Sequence, residues 1–128
     1  MLVAELFFIL ILIEIMIFIG FDMKKKVWTL RKIPFFNPGY PDERIVAYTN
    51  AILYRNVFGL RLIRGNCVRY VLMLYWAFYR KYNYLKVVIG VKKLKNGLSG
   101  HTWLEKCNKL FYEPESTKRT YRKMGEFR

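Results

Sequence analysis

Cys67-Val-Arg-Tyr-Val-Leu-Met-Leu-Tyr-Trp-Ala-Phe-Tyr79, then Tyr84-Leu-Lys-Val-Val-Ile-Gly-Val-Lys92, then Gly100-His-Thr-Trp-Leu-Glu105 decide the fold of this chain. The first stretch is apolar nearly all round, as a helix at the centre of a domain must be. The second is a β-branched run of strand length, and the third is an extended segment that alternates in character. A central helix, a buried strand and a hairpin are therefore expected in this order. The same three stretches hold the chemistry. Cys67 stands at the expected start of the helix, where the macrodipole and the unpaired amides of the first turn favour a thiolate. His101, the only histidine, follows 34 residues later, and Glu113 comes 12 residues after that. A thiol, an imidazole and a carboxylate in this order are the components of a cysteine hydrolase, with the carboxylate fixing the tautomer of the ring.

Whether Glu113 reaches His101 depends on the hairpin formed by residues 101–105 and 109–113. With a two-residue loop, Cys107-Asn108, Thr102 would oppose Glu113 and His101 would face the other side of the sheet. With a three-residue loop, Lys106-Cys107-Asn108, His101 and Glu113 become cross-strand partners with Cβ atoms roughly 4.5–5.5 Å apart. Asn108 tolerates the left-handed conformation that ends such loops, and Pro114 biases Glu113 toward extended geometry, so the three-residue loop is the expectation. Glu105 is the rival carboxylate, but four strand steps place it about 13 Å from His101.

The run from Cys67 through Ile89-Gly90-Val91, together with Gly100-His-Thr-Trp-Leu-Glu105, resembles the split-type leader peptidase of lasso-peptide biosynthesis, a cysteine protease of the transglutaminase-like superfamily. The resemblance covers roughly residues 65 to 113. It implies an α+β fold, a small transglutaminase-like or papain-like core preceded by a hydrophobic helix. It further implies that Cys67 is the nucleophile, that His101 is the base and acid, and that Glu113 stands where the family more often has aspartate. The implied reaction is removal of the leader from a ribosomally made lasso precursor peptide. The enzyme would work beside a leader-recognition protein and an ATP-dependent lasso cyclase, in the cytoplasm and with no cofactor of its own. Two departures stand out: Thr102 replaces the usual alanine, and Cys107-Asn108 replaces the usual Asp/Asn-Gly turn.

Each candidate also has a plain structural reading. A free cysteine in an apolar helix is commonly a small packing residue, and a lone histidine is commonly structural. Cys107 lies at an expected exposed turn and is read as incidental. One histidine and two distant cysteines lack the short paired spacing of a zinc site. For the oxyanion hole the chain offers no glutamine. The backbone N–H of Cys67 is the default donor, and Asn66, a candidate N-cap, is the second.

The charge is unevenly spread. Residues 1–23 hold Glu5, Glu14 and Asp22 and no lysine or arginine, leaving 23 basic and six acidic groups, a net +17, for residues 24–128. Such a field attracts acidic peptide, anionic lipid or nucleic acid, and no nucleic-acid motif accompanies it, so peptide or lipid is preferred. Residues 2–21 contain 17 apolar residues among 20 and are long enough to cross a bilayer. No basic n-region or small-residue cleavage site marks a signal peptide. Glu5 and Glu14 are nine residues apart, about 180° around a helix, so Glu14 needs a partner, water or protonation inside lipid. A helix packed on protein is therefore preferred to a lone span, with peripheral attachment or anchoring at the cytoplasmic face of a membrane as the localisation.

The expected organisation is a hydrophobic helix with its basic flank (1–30), a Pro/Gly-rich linker (31–41), a catalytic domain (42–116) and a basic, frayed tail (117–128). Within the catalytic domain a helix restarts at Asp42 and runs to about Phe58, and Gly59 and Gly65 punctuate the approach to Cys67. The competing reading for the whole chain is a non-enzymatic, membrane-associated basic protein that binds lipid or a partner. A thiol enzyme of the same superfamily acting on another substrate would share the site.

Overall fold

The computed structural model describes residues 2–35, 40–53, 66–82 and 84–128. Among the described residues four helices precede a sheet: α1 (Leu2–Ile19), α2 (Met23–Leu30), α3 (Asp42–Leu53) and α4 (Asn66–Phe78). Then come β1 (Leu85–Leu94), β2 (Gly97–Lys106), β3 (Lys109–Phe111), the short helix α5 (Ser116–Thr120) and β4 (Arg122–Phe127). The strands form one antiparallel sheet in the order β3-β2-β1-β4. The chain is thus α+β, as expected.

Helix α4 is the axis of the fold. Val71 through Phe78 are buried without interruption, because α1, α2 and α3 pack around the helix and the sheet closes its remaining side. Eight consecutive buried residues need apolar character on every face, and this sequence supplies it. Trp76, the largest of them, satisfies its ring N–H by donating to the Ile33 carbonyl at 3.0 Å, which ties the chain after α2 to the core.

The hydrophobic helix is part of this same core. Leu2, Leu6, Ile9, Leu10, Ile13 and Met16 recur at helical spacing and are buried with α3 and α4. At ~1.5–3 kcal/mol for each buried side chain, this face is a major contribution to stability. Glu14 forms an ion pair with Arg69 of α4, the partner that the sequence argument demanded. Helix α1 thus shares one core with α3 and α4, rather than forming the separate unit that the expected boundary after residue 30 implied. Asp22 caps α2, its carboxylate accepting from the Lys25 backbone N–H at 2.8 Å. Helix α3 begins at Asp42 as expected. Its continuation to Phe58, with Gly59 and Gly65, lies outside the described residues, as do positions 36–39 of the 31–41 linker.

The C-terminal residues differ most from expectation. Instead of a frayed tail they form α5 and the edge strand β4, which pairs with β1 from Val87↔Phe127 to Val91↔Arg122. Phe127 packs against the core on one face of the sheet. On the other face Lys86 of β1 lies 2.9 Å from Glu126, and Lys123 lies 3.2 Å from the buried Glu105 of β2 and 2.6 Å from Glu126. A fully buried carboxylate such as Glu105 is tolerated only when paired. Lys123 of β4 and the Trp103 ring N–H, 2.9 Å away, do this.

Candidate active site

Cys67 is the second residue of α4, so its backbone N–H belongs to the first turn, which has no intrahelical acceptor. Its thiol is half-buried against β2. The sulfur is hydrogen-bonded to the His101 ring, and the backbone N–H groups of Thr102 and Val68 also point to it. The His101 bond is the largest of the influences that hold the thiol below its ordinary pKa, and burial opposes it. His101 responds in the opposite sense. Its bonds to Cys67 and then to Glu113 raise its pKa to about 9 against the opposing effect of burial. The contact thus favours the thiolate–imidazolium form of the pair over the neutral one.

Glu113 holds the far side of the ring, with its Oε1 2.6 Å from His101 Nε2, which leaves Nδ1 for the sulfur. The route by which it arrives there corrects the hairpin argument. The turn is the two-residue one: Lys106 pairs with Lys109, Glu105 with Leu110 and Leu104 with Phe111. Cys107 and Asn108 both take positive φ, 53° and 63°, as this tight turn requires. A positive φ at cysteine costs about 1–2 kcal/mol. The register it permits turns Phe111 toward α4, where its ring meets Phe78 at 5.4 Å and Tyr82 at 5.5 Å. Two edge-on aromatic contacts contribute roughly 1–3 kcal/mol beyond the apolar area that the half-buried ring removes from water, so packing overrides the turn preference.

Strict continuation of that register would put Glu113 opposite Thr102 and away from the ring. The strand instead ends at Phe111, and Tyr112 takes φ 50°. This left-handed residue turns the chain, and Glu113 swings around the edge of β2 to His101. Because β3 stops early, the same edge is also where the sulfur of Cys67 meets the Thr102 N–H.

Several residues that complete the site were not anticipated. Thr117 of α5, itself buried, donates to Glu113 Oε1 at 2.6 Å and fixes the carboxylate from behind. Tyr121, between α5 and β4, lies with its ring 5.0 Å from that of His101, and Trp103 lies 5.9 Å from it. Gly90 opposes His101 across the β1–β2 ladder, and a Cβ there would come within 2.5 Å of Trp103 Cη2. Only glycine admits the indole at this position. The one signal for Thr117 was its i+4 spacing from Glu113, hidden by the reading of residues beyond 116 as a tail.

The remaining candidates fall as follows. Glu105 is engaged with Trp103 and Lys123, not with His101. Cys107 is an exposed free thiol at the turn. The backbone N–H of Cys67 stands at the helix terminus where an oxyanion donor is needed, whereas the side chain of Asn66 lies outside the described residues. Chemically, the arrangement presents a nucleophilic sulfur, an acid beside it and a carboxylate that orients the acid. Compared with protein-family models, with curated proteins and with solved structures, the chain matches none.

Proposed function

We propose that the protein is a transglutaminase-like cysteine peptidase that removes the leader from a lasso precursor peptide. The observation that carries this reading is the continuous chain of contacts from Cys67 through His101 to Glu113. A buried cysteine used only for packing has no need of an imidazolium at its sulfur and a carboxylate behind the ring. In the proposed reaction the Cys67 thiolate attacks the scissile carbonyl and His101 protonates the departing amine, giving a thioester. Water, deprotonated by His101, then hydrolyses the thioester and regenerates the thiol. The leader-recognition protein delivers the peptide, and the cyclase consumes the liberated core.

Mass spectrometry of a lasso precursor incubated with the protein and its recognition partner tests the reading. Cys67→Ala and Cys67→Ser abolish cleavage, whereas Cys107→Ser leaves it intact. Normal turnover by Cys67→Ala would overturn it.

The outer face of α1 favours a second role beside catalysis, attachment at the cytoplasmic surface of a membrane. Phe7, Ile11, Ile15 and Phe18 form an exposed stripe opposite the packed face, and α2 places Lys24, Lys25 and Lys26 directly after it. Apolar contact together with basic side chains suits an anionic lipid surface.

A further inference from the structure

Six of the chain's 23 lysines and arginines line one concavity. An open cleft of about 870 Å³ runs between the end of β1, α5 and the start of β4. Lys92, Lys93, Lys118, Arg119, Arg122 and Lys123 line it, and no carboxylate is among its lining residues. Among the described residues Lys93, Arg119 and Arg122 have no carboxylate partner. Like charges crowded without counter-ions repel one another, and an anionic occupant relieves the repulsion. Leu98 and Met124, also in the lining, are 71% and 66% exposed, so the cleft offers apolar contacts between its charges.

The cleft adjoins the catalytic residues. Tyr121 lines it, and the Tyr121 ring is the one lying 5.0 Å from His101, with the Lys92 ammonium 5.4 Å from the same ring. Val91, another lining residue, directly follows Gly90, the cross-strand partner of His101. The cleft therefore ends beside the Tyr121 ring that contacts His101. The occupant's chemistry follows from the walls. Single-stranded nucleic acid needs exposed aromatic faces for its bases, and the one ring here, Tyr121, is engaged by His101 and Lys92. A bilayer surface cannot enter a concavity, whereas an extended peptide can.

We infer that this cleft binds an acidic segment of the peptide substrate, one in which Asp or Glu alternates with apolar residues, next to the bond that is cut. The inference rests on the peptidase reading for the fate of that peptide, while its binding is measured without cleavage. The probe is a fluorescent peptide of alternating Glu and Leu, titrated by anisotropy into the full chain carrying Cys67→Ala, with a Gln/Leu peptide as control. The acidic peptide binds and the control does not, and affinity falls steeply as salt rises from about 0.05 M to about 0.5 M, where screening shortens to a few ångströms. An exposed ion pair changes affinity by up to about fivefold. Lys93→Ala/Arg119→Ala/Arg122→Ala accordingly weakens binding about tenfold or more, and Arg119→Lys/Arg122→Lys retains it. Should the triple variant misfold, the salt series and the control peptide decide with the parent protein. Equal binding of the two peptides, an unchanged affinity in a folded triple variant, or stronger binding of a single-stranded oligonucleotide or of phosphatidylglycerol vesicles at the same residues overturns the assignment. Binding of the acidic peptide, with no cleavage of a lasso precursor by the Cys67 protein and its recognition partner, supports the cleft and overturns only the peptidase reading.

Discussion

His101 and Glu113 meet at 2.6 Å although the register of the hairpin that joins them, if continued, would set Thr102, not His101, against Glu113. The contact exists because Tyr112 ends the strand with φ 50° and Thr117 holds the carboxylate in its new position. Orientation of the ring thus depends on two residues outside the thiol–imidazole–carboxylate set.

Glu113→Gln and Thr117→Val are expected to lower kcat/KM by less than His101→Ala, which loses the ~10²–10⁴ contributed by a positioned acid and base. Thr117→Val removes only a support, so its distinguishing sign is a lower upper limit in the pH profile of kcat/KM, from a weaker Glu113 hold on the ring. Restoration by Thr117→Ser separates positioning from packing. If Glu113→Gln is fully active and Glu105→Gln is inactive, the orienting carboxylate has been misassigned.

The titrations have a definite sign. Cys67 is held below the ordinary thiol pKa and His101 is raised to about 9, so the thiolate–imidazolium form exists between these two values. Rising pH through about 9 removes the acid, and falling pH through the lowered thiol value removes the nucleophile. A bell-shaped kcat/KM profile with its upper limb near 9 is the expected outcome. The contribution of His101 to folding follows the same logic: it is complete below about 6.5, the unfolded value, and is lost as pH rises through about 9. Iodoacetamide rates for Cys67 provide the simplest readout, since His101→Ala moves the onset of alkylation to higher pH.

How much of this was legible in the sequence depends on what competed locally. Cys67 and His101 could be read because a helix start and a strand fix their places without a register. The Glu113 contact was anticipated for a wrong reason: Asn108 looked like the end of a three-residue loop, but burial of Phe111 against Phe78 and Tyr82 decides the pairing. β4 was unreadable because Arg122-Lys-Met-Gly-Glu-Phe127 shows no apolar alternation. One face of that strand is satisfied by Lys86 and Glu105, which are distant in sequence. In α1 uniform apolarity concealed which side is inside.

The strained turn offers an independent check of the register. At φ 53°, Cys107 carries a side chain where glycine would be unstrained. Cys107→Gly is therefore expected to stabilise the protein by up to about 1 kcal/mol, despite the greater freedom of glycine in the unfolded chain, and to leave activity unchanged. Asn108 is not equivalent, because its Oδ1 accepts from Lys86 at 2.8 Å, so Asn108→Gly forfeits that bond. Thermal denaturation of the two variants separates the cases; a destabilised Cys107→Gly would contradict the two-residue turn.

The hydrophobic helix presents the sharpest choice between protein and lipid. It is long and apolar enough to cross a bilayer, yet a third of it is buried inside the protein. Moving Leu6, Ile9 and Ile13 from the core into lipid changes little, since both surroundings are apolar. Moving Glu14 is different, because it would leave Arg69 and enter hydrocarbon at a cost of a few kcal/mol. The packed face therefore stays on α3 and α4, and only the stripe through Phe7, Ile11, Ile15 and Phe18 is available to a membrane. A helix lying in the interface is held by its apolar face and by Lys24, Lys25 and Lys26, so attachment weakens with salt and is lost at high pH. Carbonate extraction is expected to release the protein, and Phe7→Ser/Ile11→Ser to reduce vesicle binding without unfolding it. Protein that remains wholly in the carbonate pellet would show instead that α1 leaves the core and spans.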